Sequence, residues 1–190
     1  MIKILIADDH AVVRHGLKQI ISDQADMHVA GEAETSAEVL QLVRREDLNV
    51  VILDITMPGK SGLDLLPEIK SLRPMLKILI LSMHAEEQFA IRALKGGASG
   101  YITKESAPVE LVWAIRKVNT GGKYISQSIA EQLAFFVSDD SGKLQHGRLS
   151  NREFQVLRMI AMGKNLREIA DELILSKKPS ARIACGFWKK

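Results

Sequence analysis

The sequence predicts a doubly wound α/β domain with a five-stranded parallel sheet, followed by a small all-α unit. Three observations carry this. The short runs 3–7 (KILIA), 50–54 (VVILD) and 77–81 (KILIL) are rich in β-branched and apolar residues and bounded by polar or turn residues, as suits strands buried on both faces. Segments with apolar residues three and four apart lie between them, the helical period. The two signals alternate along the chain, which implies right-handed crossovers between parallel strands.

The elements follow in order. After strand 3–7, Val12, Val13, Leu17, Ile20 and Ile21 mark the first helix. A weaker run, 27–31 (MHVAG), is the second strand, and Val39, Leu40, Leu42 and Val43 mark the helix behind it. Strand 50–54 leads to Leu63, Leu65, Leu66 and Ile69, and strand 77–81 to Phe89, Ile91, Ala93 and Leu94. A second weak run, 99–102 (SGYI), is the fifth strand. Val109, Val112, Trp113, Ile115 and Val118 mark the fifth helix, which Gly121-Gly122 ends. These elements make one domain over residues 1–121.

Residues 122–147 read as a linker containing a short helix from about 128 to 137. The stretch 138–147 (SDDSGKLQHG) is polar, with two glycines and no periodicity. The all-α unit, 148–190, begins at Ser150, which caps a helix with Glu153 three residues on as a capping box. That helix runs to Met162 and stops at Gly163. Asn165 caps a second, from Leu166 to about Ile174. Helix, tight glycine-containing turn, helix is the helix-turn-helix pattern.

Composition excludes several classes. With 46% hydrophobic and 26% charged residues, 190 residues can build a packed core. No apolar run reaches the roughly 18 residues that span a bilayer. The opening MIKILIADD turns acidic too early for a secretory signal. The single Cys185 rules out an internal disulfide and a multi-cysteine zinc site. A cytoplasmic setting away from the membrane is the expectation. The net charge of +3 is uneven: residues 1–140 hold 15 Lys/Arg and 19 Asp/Glu, residues 141–190 hold 11 and 4. A short basic tail on an acidic body suits contact with a polyanion through the tail.

In open α/β sheets, functional groups gather beyond the carboxyl ends of the strands. Here those ends carry Asp8 and Asp9, Asp54, Ser82 and Lys104. A single Asp there is commonly a helix cap or turn former, and Asp8-Asp9 alone could cap the first helix. Five such residues at four strand ends are a different matter. Three converging carboxylates repel unless a cation joins them. Oxygen-only ligands suit Mg²⁺. One carboxylate can then attack a phosphoryl group while the cation and the Lys104 ammonium neutralise its oxygens.

Asp8-Asp9-His10 after the first strand, DITMP at 54–58, LSMH at 81–84 and GASGYITK at 97–104 resemble the receiver domain of bacterial two-component response regulators. The resemblance covers about residues 1–120 and implies a flavodoxin-like fold. It implies Asp54 as phosphoacceptor, with Asp8, Asp9, Asp54 and the Thr56 carbonyl holding Mg²⁺, Asp9 more directly than Asp8. Lys104 would contact the phosphoryl group, Ser82 would be the switch hydroxyl, and Tyr101 would rotate with it. Pro58 and Gly59 would shape the loop after Asp54, and Ala85 to Gly96 would be the moving helix. A cis bond is expected after Lys104, where the family usually has Pro and this chain has Glu105, as in many NarL/FixJ-class members. The partner implied is a sensor histidine kinase, with a homodimer formed on phosphorylation.

The segment 149–173 resembles the start of a LuxR-type helix-turn-helix, matched at Leu149, Ser150, Arg152, Glu153, Val156, Leu157, Ile160, Ala161, Gly163, Glu168, Ile169 and Ala170. Most of these form the cap, the apolar face and the turn. Ser176 and Lys178 fit the opening of a DNA-reading helix, and Lys177, Lys178 and Arg182 are the expected DNA contacts. After Lys178 the match stops: Pro179-Ser180 stand where Thr-Val is expected, and ARIACGFWKK follows no family pattern. The abrupt loss of match at the lysine pair suggests a frameshift, and with the third helix altered and the chain ending about 20 residues short of a four-helix module, impaired DNA binding is the expectation. Three functions compete: a phosphorylation-controlled transcription regulator, a receiver acting by protein contact alone, and a phosphatase using Asp54. The dehalogenase-type phosphatases place a second Asp two residues after the nucleophile. Thr56 stands there, so only phosphorylation and self-dephosphorylation of Asp54 are expected.

Overall fold

The computed structural model describes residues 1–83 and 87–125, and beyond them the isolated residues 130, 156, 159, 160, 168 and 169. The chain divides into two compact units, Met1–Gly142 and Lys143–Lys190.

In the first unit, strands and helices alternate: β1 (Ile2–Ala7), α1 (Ala11–Ser22), β2 (Met27–Ala33), α2 (Ser36–Arg45), β3 (Val50–Asp54), α3 (Gly62–Leu72), β4 (Lys77–Ser82), α4 (Glu87–Lys95), β5 (Gly100–Thr103), α5 (Ala107–Asn119) and β6 (Tyr124–Ile125). The sheet order is β2-β1-β3-β4-β5-β6, every neighbouring pair parallel. The three strong apolar runs are the central strands, buried along nearly their whole length. Alternation then sends successive side chains to opposite faces. Ile4, Ile6, Val50, Ile52, Leu79 and Leu81 pack with Leu17 and Ile21 of α1 and with Leu111, Ala114, Ile115 and Val118 of α5. The alternate residues, Leu5, Val51, Leu53, Ile78 and Ile80, are equally buried on the other face.

Four expectations change. The sheet has six strands instead of five. The sixth, two residues long, is too short to show a period, and Gly100 makes room for it. A Cβ at Gly100 would stand 2.7 Å from the Tyr124 carbonyl oxygen. β2 runs two residues further than expected, through a register shift opposite Ile4 and Leu5. Among the described residues no peptide bond is cis, so the bond after Lys104 is trans. Without proline there, the cis form would cost about 2.5–4 kcal/mol with nothing in the ring chemistry to offset it. Finally, Val12, Val109 and Trp113, counted into the apolar stripes, are 85%, 82% and 73% exposed. Apolar residues covered a wider arc of α1 and α5 than the sheet can cover.

Of the second unit, Val156, Met159 and Ile160 are helical where the first helix was expected, and Glu168 and Ile169 where the second was. Val156, Met159 and Ile169 form a small apolar cluster, while Ile160 is exposed. Ala130 is helical within the short helix expected at 128–137. The rest of that helix, residues 84–86 and the expected DNA contacts Lys177, Lys178 and Arg182 lie outside the described residues.

Candidate functional site

The strand order sets β1 beside β3, where the winding direction reverses. A switch point of this kind opens a crevice at the carboxyl ends of the strands. Asp8 and Asp9 follow β1, Asp54 ends β3, Ser82 ends β4, and Lys104 follows β5. The structure brings the predicted charged residues together there. Lys104 Nζ lies 2.6 Å from Asp8 Oδ2 and 3.1 Å from Asp54 Oδ2. All three side chains are nearly sealed from solvent: Asp8 0%, Asp54 2% and Lys104 8% exposed.

The amine donates a hydrogen bond to Asp54 Oδ2. It also forms a buried ion pair with Asp8 Oδ2 at 2.6 Å, the shorter of its two carboxylate contacts. Asp9 Oδ1 is buried 2.8 Å from His10 Nδ1 without a hydrogen bond. A buried carboxylate oxygen without a hydrogen bond is costly. One ligand atom each from Asp8, Asp9, His10 and Asp54 falls within 4.8 Å of the others. This acidic cluster can hold a metal ion, and carboxylate oxygens are the hard donors a small divalent cation takes.

Burial pushes the Asp54 carboxyl up to about 7; Lys104 and the Thr56 N–H, which donates to it, pull the other way, and the Asp8 charge adds to the rise. Burial also disfavours charge on Lys104, but Asp54 and Asp8 outweigh it and hold the amine above its usual range. The pair therefore stays polar in an apolar setting by mutual neutralisation.

The loop after Asp54 is fixed by its own chemistry. Gly62 N–H donates to the Ile55 carbonyl at 2.9 Å, and buried Ser61 caps α3 by accepting from Leu63 N–H while its hydroxyl donates to the same Ile55 carbonyl. Gly59 has φ +93°, a conformation that favours glycine. Ser82 is buried, and its carbonyl accepts the Lys104 N–H at 2.7 Å, which ties β4 to the residue after β5. Tyr101 is fully buried on β5.

Sequence reasoning missed how the Asp8 turn is held. His10 N–H donates to Asp8 Oδ1 at 2.8 Å, just ahead of α1. Arg14 is 8% exposed and its Nη1 donates to the Asp8 carbonyl at 2.8 Å. A signal was available: Arg14, Leu17 and Ile21 are the buried residues of α1, so Arg14 falls on the inward stripe of the period.

Residues 4–116 match the family model of the response regulator receiver domain. The chain belongs to the response regulators. Residues 147–179 match the model of bacterial regulatory proteins of the luxR family, ending one residue past Lys178. Response regulator UvrY of Escherichia coli strain K12 is 36% identical over 179 residues, covering 94% of this chain and 82% of that protein. Response regulator GacA of Pseudomonas aeruginosa is 36% identical over 179 residues, covering 94% and 84%. Among solved structures, the RcsB response regulator of Salmonella typhimurium superposes with a TM-score of 0.66 at 30% identity, covering 97% of this chain and 87% of that one. This response regulator is thus of the NarL/FixJ class, a transcription regulator with a receiver domain and a LuxR-type DNA-binding module. Among the described residues no helix is long and apolar enough to cross a membrane.

Proposed function

We propose that Asp54 of this response regulator accepts a phosphoryl group from a phosphohistidine of a sensor histidine kinase, and that its phosphorylation state sets the output of the LuxR-type module. The observation that carries this is Lys104 Nζ, seated between the Asp8 and Asp54 carboxylates at 2.6 and 3.1 Å in a sealed rim. An Asp54 oxygen attacks phosphorus, the P–N bond to histidine breaks, and its electron pair leaves with the imidazole. Lys104 neutralises the phosphoryl oxygens as charge gathers on them. Asp8, Asp9, Asp54 and the Thr56 carbonyl would hold Mg²⁺, which when bound supplies further charge neutralisation and orients the phosphoryl group.

Ser82 would then bond the phosphoryl group and Tyr101 rotate with it, biasing a two-state equilibrium in α4 and β5. On this reading residues 1–121 are the receiver, 122–147 the linker and 148–190 the DNA-binding module, with Lys177, Lys178 and Arg182 toward DNA. A cytoplasmic setting accompanies a kinase partner. RcsB has been seen as two dimers on two parallel DNAs, and a homodimer on phosphorylation is proposed here as well. The test is labelling of the full chain by radioactive acetyl phosphate. Asp54→Asn abolishes acid-stable, hydroxylamine-sensitive label, and chelation with EDTA suppresses it; equal labelling of Asp54→Asn overturns the assignment.

A second reading is favoured by one feature. The luxR-family match ends at residue 179, and Pro179-Ser180 replace the expected start of the DNA-reading helix. The receiver would then signal through protein contacts, with a defective DNA module. DNA affinity would be weak, non-specific and steeply salt-dependent. Nanomolar, sequence-selective gel shifts at physiological salt decide for the first reading.

A further inference from the structure

We infer that the turn between β2 and α2 braces both loops that would supply the cation's ligands, and that Arg14 and Ser36 are positioning residues for the acidic site. The inference rests on the cation reading given above. Neither residue touches the carboxylates.

The first loop is gripped through Asp8. Its N–H donates to the Ala33 carbonyl at 3.1 Å, and its carbonyl accepts from Arg14 Nη1 at 2.8 Å. Arg14 Nη2 donates in turn to the Glu34 carboxylate. Glu34 is itself fixed, its N–H donating to Glu38 Oε2 at 2.8 Å. The second loop is gripped two residues later. Ser36 N–H donates to the Pro58 carbonyl at 3.2 Å, and Ser36 Oγ accepts the Lys60 N–H at 3.0 Å. Gly59, between them, packs against Ser36 so closely that a Cβ there would overlap the hydroxyl. Residues 33–36 thus tie the Asp8-Asp9 turn to the Thr56–Lys60 loop.

The alternative is that Arg14 only fastens α1 to β2. Its burial speaks against that. Lys18 makes such a tie at the surface, 2.6 Å from Glu32. Arg14 Nε instead is buried without a hydrogen bond, 3.7 Å from Glu32. Arg14 couples its Glu34 pair to the Asp8 main-chain carbonyl, two contacts that the fixed fork of a guanidinium makes at once. Partners behind metal ligands typically contribute 10–100-fold to affinity.

The test titrates the full chain with Mg²⁺ alone at pH 8 by calorimetry, with melting temperatures taken in EDTA. Arg14→Lys keeps a cation but not the fork, and Ser36→Ala removes only the hydroxyl. The Mg²⁺ dissociation constant should rise about tenfold in Arg14→Lys and about threefold or more in Ser36→Ala. Arg116→Gln, which breaks the distant pair with Asp26, should leave it unchanged. If both variants fold and bind within twofold of the parent, the inference is overturned. Should Arg14→Lys fail to fold, Ser36→Ala decides alone. A parent chain that binds no Mg²⁺ overturns the cation reading itself, and the brace with it.

Discussion

The two ends of the sheet use the same residue types to opposite purpose. At the amino end, Lys3 pairs with Asp47 at 2.9 Å and Arg116 with Asp26 at 2.8 Å, each partner 44% exposed or more. At the carboxyl end, Asp8, Asp54 and Lys104 are sealed, and one amine holds both carboxylates. The titrations run in opposite directions. Arg116 and Lys3 hold Asp26 and Asp47 below the usual carboxylate range, while burial pushes Asp54 to about 7. Exposed pairs contribute little and tolerate water. Converging buried carboxylates are costly to the fold unless cations offset them, and such clusters concentrate at functional sites.

The sharpest way to break this contrast is at Lys104. Lys104→Met leaves two buried carboxylates facing each other with no cation between them. Labelling of Asp54 by acetyl phosphate should slow about 100-fold or more, the typical loss when one charge-stabilising donor is removed from a sealed site. A rate within threefold of the parent would show that the amine plays no part in the transfer.

Next in size is a stability effect with an unusual sign. The folded-state value of Asp54 is raised from 3.8 to about 7, so the folded chain binds the proton more tightly than the unfolded one. Its contribution is full below pH 4 and is lost as pH rises through 7. Three pH units set a ceiling of about 4 kcal/mol, and Lys104 surrenders part of this when its partner is neutralised. Asp54→Asn should therefore stabilise the metal-free chain at pH 8, by on the order of 2 kcal/mol, and do nothing at pH 4. Thermal melts in EDTA at the two pH values check it; equal effects at both would refute the buried titration. Mg²⁺ should act in the same direction on the parent. At ten times its dissociation constant it adds about 1.4 kcal/mol, and Asp9→Asn should lose most of that gain.

How much of this was legible in the sequence depends on range. The central strands announced themselves because burial on both faces leaves an unbroken apolar run. The rim residues were legible because a parallel sheet places strand ends together whatever the helices do. The sixth strand was not, since two residues carry no period and Gly100 only permits the pairing. The inward stripe of α1 marked Arg14 as buried, but not what it or Ser36 holds, since the loop groups they grip are main-chain carbonyls and amides 6 to 24 residues away, and a carbonyl has no letter in the sequence. Trp113 misled because an amphipathic stripe gives a helix's direction but not the width of its contact.

The smallest effect tests the other half of the comparison. Arg116 donates from Nε and Nη2 to both oxygens of Asp26, at 3.0 and 2.8 Å, and reaches Gln24 as well. The geometry is bidentate and good, yet every group is in water. Arg116→Gln should lower the melting temperature by no more than about 2 °C, and less in high salt, where the pair is already screened. The loss should shrink further as pH falls below the usual carboxylate range, because the contribution of Asp26 is present above that range and disappears as it protonates. The labelling rate of Asp54 should not move. A drop of many degrees, or a slowed transfer, would mean that the amino end is coupled to the rim and that exposure alone does not separate the two kinds of pair.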